Sequence, residues 1–150
     1  MHTTTTRRLT GGDEVVARDM FAVMAAAFDE TVDPVSDAYV SGLLTTSSFW
    51  AVAAFDGARV IGGITAHTIP MTRSSSSELF VYDLAVHEEH RRRGVGSQLF
   101  LALRAYASEA GISDIFVPAD EEDGHALAFY RSLGGQESPV RFFAWGDGTR

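Results

Sequence analysis

The chain has no cysteine, which removes disulfides, thiolate zinc sites and acyl transfer through a cysteine intermediate. Direct transfer remains. Basic residues are scarce: 12 Lys and Arg stand against 20 Asp and Glu, leaving a formal net charge of −8. Such a surface repels nucleic-acid phosphates and suits a cationic or neutral partner. No apolar run reaches the roughly 18 residues of a membrane span, and the N-terminal MHTTTTRRL lacks the hydrophobic segment of a signal peptide. No membrane association and a cytoplasmic location are the expectation. Repeats and linkers are missing as well, and 150 residues with 45% hydrophobic content predict one domain over 1–150, large enough for a proper core.

What is present concentrates in Glu78 to Gly111, ELFVYDLAVHEEHRRRGVGSQLFLALRAYASEAG. Leu79 to Val86 is too apolar for an edge and predicts an interior strand. Val95, Leu99, Leu103, Tyr106 and Ala110 make one apolar helical stripe, and Gly111 ends that helix as a C-cap. Between strand and helix, Arg91-Arg92-Arg93-Gly94-Val95-Gly96 fits the pattern Arg/Gln-x-x-Gly-x-Gly/Ala. Glycines here remove Cβ atoms that would hold a pyrophosphate away, and they permit backbone angles closed to other residues. Amides of the turn converge on an anion, the helix dipole adds about half a positive charge behind them, and the arginines supply mobile charge around the rim. On these letters alone a solvated basic turn explains HRRRG equally well. A Walker loop would need Gly-Lys-Ser/Thr, and the dinucleotide fingerprint would need glycine where Leu99 stands.

The remaining chain reads as an α/β sequence. Arg7 to Leu9 predict a short first strand after frayed residues 1–6. Asp13 is placed to cap a helix running to Phe28, with Val16, Met20, Val23, Met24, Ala27 and Phe28 on one face. An acidic loop from Asp29 to Asp37 opens a second helix near Ser36, with Tyr39, Val40, Leu43 and Leu44 inward. Phe49 to Phe55 and Ala58 to Ile69 form an antiparallel hairpin around Asp56-Gly57, and Gly62-Gly63 mark a bulge or a close backbone approach. Pro70 to Ser77 is a serine-rich loop. Asp114 to Pro118 is a strand parallel to Leu79–Val86 through a right-handed crossover. The acidic loop Ala119 to Asp123, a helix from Gly124 to Leu133 and a closing strand from Val140 to Trp145 complete one sheet with helices on both faces.

A second motif follows the glycine turn by about thirty residues. Asp123-Gly124-His125-Ala126-Leu127-Ala128-Phe129-Tyr130-Arg131-Ser132-Leu133-Gly134 is similar to Asn-x-x-Ala-x-x-Phe-Tyr-x-x-x-Gly, departing at its first residue only. Together the two motifs resemble the GNAT superfamily of acetyl-CoA-dependent N-acetyltransferases. That resemblance implies a mixed, mostly antiparallel α/β sheet with a parallel central pair, acetyl-CoA as cosubstrate and no metal. It also implies that Leu84, Ala85 and Val86, the turn Arg91, Arg92, Arg93, Gly94, Val95, Gly96 and Ser97, and Tyr130 meet the cofactor. In the family a bulge equivalent to Tyr82–Val86 turns a backbone N–H toward the thioester carbonyl, and the tyrosine returns a proton to the leaving thiolate. A core tyrosine with a satisfied hydroxyl is the alternative for Tyr130.

The general base is less defined. Asp83 lies in an otherwise apolar strand, so it must be paired, with Arg141 for example, or exposed at a splayed edge. Glu78, Asp120, Glu121 and His125 are further candidates, and water-relayed deprotonation would need no single base.

FWAVAAFD (Phe49 to Asp56), SELFVYDLAVHEEHRRRGVGSQL (Ser77 to Leu99) and VPADEEDGHALAFYRSLG (Val117 to Gly134) resemble the GNAT-type aminoglycoside 3-N-acetyltransferases. This implies acetylation of the 3-amino group of an aminoglycoside, hence antibiotic resistance, with Asp83, Asp120, Glu121 and Asp123 meeting the polycationic substrate. The acidic clusters suit that charge independently. They suit a polyamine or a lysine-containing peptide equally, and a non-catalytic acetyl-CoA-binding module is the reading from outside enzymology. Homodimer formation stays open.

Overall fold

The computed structural model describes residues 3–31, 33 and 35–147. The chain forms two compact units, Met1–Pro118 and Ala119–Arg150.

The first unit runs β1 (Thr4–Arg8), α1 (Glu14–Ala27), α2 (Asp37–Thr45), β2 (Phe49–Asp56), β3 (Arg59–Pro70), β4 (Ser77–Val86), α3 (Val95–Glu109) and β5 (Asp114–Phe116). The sheet order is β1-β2-β3-β4-β5, antiparallel throughout except for the parallel pair β4–β5. The hairpin turn lies at Asp56-Gly57, with Gly57 at φ 61°. β1 begins earlier than expected, at Thr4, because the threonines pair in register with Ala54 to Asp56 and their β-branched chains suit a ladder. Met1 and His2, part of the stretch expected to fray, lie outside the described residues.

Helices cover both faces of this sheet. On one face, Val95, Leu99, Leu103 and Ala107 of α3 pack with Trp50, Val52, Ile61, Ile64, Leu79 and Val81. On the other, Ala17, Met20 and Met24 of α1 and Val40 and Leu44 of α2 pack with Ala51, Ala53, Phe55 and Ala85. β2 is therefore an unbroken apolar run, since alternate residues enter two different cores. The α3 stripe keeps strict spacing to Ala107; Ala110, expected to continue it, is exposed as the C-cap, and Gly111 follows at φ 80°. Tyr39 was expected inside but is 58% exposed, because the buried face of the short α2 is met by Val40 and Leu44 one turn apart.

Caps divide into expected and unexpected. The Ser36 hydroxyl accepts the Tyr39 N–H at 3.0 Å and starts α2. Asp13 occupies the corresponding position of α1 without capping it; its carboxylate accepts the Thr10 N–H at 2.8 Å and the Arg7 guanidinium at 3.0 Å. Those two donors hold its carboxyl below the usual carboxylate range, the Thr10 N–H contributing most.

Two bulges set which side chain faces which core. Ala54 pairs with Gly62 and Phe55 with Val60, so Ile61 is the extra residue in β3. Thr65 pairs with Asp83 and Ala66 with Val81, so Tyr82 is the extra residue in β4. Both readings of Gly62-Gly63 hold, since a bulge adjoins Gly62 and both glycines admit close neighbours. A Cβ on Gly63 would overlap the Met20 side chain, and one on Gly62 would fall 2.9 Å from Ala85 O and 3.2 Å from Val86 Cα. Main chain cannot yield as a side chain can. Gly62→Ala should thus lose about 1–3 kcal/mol, in the range of overpacked cores, measured by urea unfolding. Stability raised by the alanine would mean that the β3–β4 approach is slack.

In the second unit Asp123 caps α4 (Gly124–Ser132), its Oδ1 accepting the Ala126 N–H at 3.0 Å. The closing strand expected from Val140 to Trp145 is not formed. That segment has no ladder, and Val140, Phe143 and Trp145 are 81%, 73% and 90% exposed. Its letters favour a pleated surface, but β-propensity becomes a strand only within a ladder, and no strand is assigned to these residues. Among the described residues no helix is long and apolar enough to cross a membrane.

Candidate active site

Three features of the first unit meet at the C-terminal end of β4. The first is an open strand edge. β5 accompanies β4 only over Glu78 to Phe80, while β3 pairs with it as far as Val86. From Val81 to Val86 the strand therefore has a described ladder on one side alone, and alternate main-chain groups, those of Leu84 among them, face the side without one.

The second is the Tyr82 bulge. Before it, Leu79 and Val81 face α3; after it, Leu84 and Val86 do, while Ala85 enters the opposite core. Alternation then places Tyr82 and Asp83 consecutively on the α1–α2 side, a juxtaposition that a regular strand forbids. Asp83 is half-buried opposite Thr65, and Glu78 is half-buried at the start of the strand.

The third is the turn into α3. A single 3₁₀ turn, Glu88–His90, follows β4, after which Arg92 (φ 64°) and Gly94 (φ 77°) are both left-handed. Gly94 is the N-cap, no side chain caps the helix, and no acid stands in its first turn. The Gln98 N–H is the one bonded to Gly94 O, at 3.0 Å. The N–H groups of Val95, Gly96 and Ser97 precede the first intrahelical donor and point at the turn. A Cβ at Gly94 would meet no atom within 4 Å, so the turn is open at that residue. In contrast, α2 and α4 fill the same position with a serine or aspartate. An uncapped helix N-terminus of this kind suits an anion.

The three arginines differ. Arg92 and Arg93 are exposed beside the turn. Arg91, expected as mobile rim charge, is instead held: its Nε donates to Val86 O and its Nη2 to Ala27 O, both at 3.2 Å. The reason lies in α1, whose last turn has no basic residue to meet its carbonyl ends. Sequence reasoning also missed the turn's other anchor. Buried His90 sets Nε2 3.5 Å from Asp56 Oδ2, with its ring edge-on to His87 at 5.8 Å, tying the turn to the β2–β3 hairpin.

A group of rings lies on the α1–α2 side of the sheet. His67 is 5.4 Å from Phe49 and 5.9 Å from Tyr82, and Phe80 is 6.2 Å from Tyr82. His67 was not among the expected site residues. Period-two alternation of Thr65 and His67 was visible in the letters, but the β4 partner could be placed only after the bulge was known.

The second unit gathers the other candidates on α4 and its leading loop. Tyr130 is half-buried, its ring 5.1 Å from Phe129, and its carbonyl accepts the Gly135 N–H at 3.0 Å. Asp120 Oδ1 accepts the Glu122 N–H at 3.0 Å, which folds the acidic loop into a tight turn, while Asp123 is engaged as the α4 cap. Glu121 and His125 are exposed. Thus Asp83 to Val86 and Arg91 to Ser97 come together in one unit, and Asp120, Glu121, Asp123 and Tyr130 in the other.

The profile of the acetyltransferase (GNAT) family matches residues 18–134. An aminoglycoside acetyltransferase from an uncultured soil metagenomic sample superposes with a TM-score of 0.90 at 30% identity, covering 97% of this chain and 99% of that one. A second such enzyme from a soil metagenome, solved in complex with sisomicin, gives a TM-score of 0.89 at 26% identity, covering 96% and 97%. Among curated proteins, N-acetyltransferase 8F1 of Rattus norvegicus is 26% identical over 107 residues, 71% of this chain and 48% of that protein. This chain spans less than half the length of such relatives.

Proposed function

Because the chain belongs to the acetyltransferase (GNAT) family, we propose that it moves acetyl from acetyl-CoA directly to an aminoglycoside, at the 3-amino group of the deoxystreptamine ring. The observation that carries acetyl-CoA use is the uncapped α3 N-terminus beside the open edge of β4. The acceptor class is supported by likeness, over nearly the whole chain, to two aminoglycoside acetyltransferases and by the net charge of −8.

The residues present fit the cosubstrate. The N–H groups of Val95, Gly96 and Ser97 suit a pyrophosphate, Arg92 and Arg93 add charge beside it, and the main chain of Leu84, Ala85 and Val86 suits an amide-bearing arm. Bound acetyl-CoA supplies an activated thioester carbonyl. The protein must then deliver a neutral amine, stabilise an oxyanion and return a proton to the leaving sulfur. Asp83 takes the amine proton, directly or through water. A main-chain N–H at the β4 bulge serves the oxyanion, and Tyr130 returns the proton. Asp120 and Glu121 attract the ammonium groups of the acceptor.

Mass spectrometry of a panel of amines incubated with acetyl-CoA tests this reading. Singly acetylated gentamicin-like drugs are expected, with the new amide on the 3-amino nitrogen by NMR. Since several ammonium groups would meet several carboxylates, KM should rise with ionic strength far more than kcat falls. Neutralising Asp120 and Glu121 together should raise KM in the same way. Modification of spermidine or a lysine peptide in place of the drugs would transfer the assignment to a polyamine or peptide acceptor.

A further inference from the structure

We propose that Tyr82 is a stacking platform that selects acceptors built on saturated rings over flexible linear amines; this rests on the acetyl-transfer reading of β4. The ring is 52% exposed, just past the point where β4 loses its β5 partner. Its orientation is set from two sides: His67 meets it edge-on at 85° and 5.9 Å, and Phe80 leans on it at 55° and 6.2 Å. Phe49 in turn backs His67 at 5.4 Å. A large aromatic left half in water yet held by neighbouring rings offers a fixed apolar face at little entropic cost on binding.

The chemistry of the face follows from its neighbours. The bulge puts Tyr82 next to Asp83 on one side of the sheet, and alternation puts Glu78 on that side too. An aromatic face carries negative quadrupole charge. It favours the C–H face of a saturated ring, whose hydrogens are made more positive by ammonium substituents, while carboxylates beside it pair with those ammonium groups. An aminocyclitol or aminosugar ring presents both at once. An extended polyamine can use the carboxylates but offers no ring face, so the platform adds nothing to its binding.

Steady-state kinetics of the full chain with gentamicin and with spermidine test the idea. Tyr82→Leu should raise KM for gentamicin about tenfold or more, equivalent to ~1.4 kcal/mol, with kcat within about threefold and spermidine kinetics unchanged. Tyr82→Phe keeps the face and should recover KM to within about threefold. Calorimetric affinity for acetyl-CoA and the thermal midpoint show whether each variant is folded. Equal effects on both amines, or a loss in Tyr82→Phe as large as in Tyr82→Leu, would overturn the platform. A second arm does not depend on turnover: saturation-transfer NMR with sucrose, a neutral ring compound, should label its pyranose C–H protons in the parent protein and not in Tyr82→Leu. If gentamicin is not acetylated but sucrose is labelled, the function fails and the platform stands; absence of labelling in the parent protein removes the platform.

Discussion

Tyr130→Phe is expected to lower kcat on the order of 10² to 10⁴ while acetyl-CoA affinity stays within a few-fold. The substitution removes one oxygen. The ring keeps its 5.1 Å contact with Phe129, the Tyr130 carbonyl keeps the Gly135 N–H, and the Asp123 cap of α4 is untouched. Proton return to a departing sulfur acts mainly in the transition state, so it appears in kcat and leaves ground-state cofactor binding almost alone. The measurement is turnover at saturating acceptor beside calorimetry of acetyl-CoA. Turnover within about twofold of the parent would make Tyr130 a packing residue and assign the proton to water. In a susceptible bacterium, resistance to gentamicin-like drugs should vanish with the same change.

Gly94→Glu should weaken acetyl-CoA binding more than tenfold, ~1.4 kcal/mol or above. Two causes combine. Gly94 sits at φ 77°, where a side chain costs roughly 1–2 kcal/mol. The new carboxylate would also lie at the one helix N-terminus, among the described residues, left without a capping side chain or a first-turn acid. It would take the Val95, Gly96 and Ser97 N–H groups for itself, compete with a pyrophosphate and repel it. Gly94→Ala separates the causes, because its Cβ meets nothing within 4 Å and brings only the backbone strain. Unchanged affinity in a folded Gly94→Glu protein would remove the turn from the cofactor site.

The sequence alone determined those parts of the molecule whose causes are local. The Asp56-Gly57 hairpin, the Ser36 cap, the α3 stripe to Leu103 and the left-handed glycine at its N-terminus each depend on a few neighbouring residues, so spacing and residue type suffice. Affiliation with the acetyltransferase family was legible for the same reason, since both motifs are short and contiguous.

Only the tertiary structure decided matters that depend on residues far apart in the chain. Whether Arg91 is rim charge or a strut depends on the Ala27 carbonyl, 64 positions away. Whether Val140–Trp145 is a strand depends on a partner, because a ladder is a property of two segments. The placement of Asp83 on the side that Tyr82 and His67 already face depends on a single extra residue between Val81 and Asp83. One residue of register turns every later side chain to the opposite face, and composition carries no mark of it.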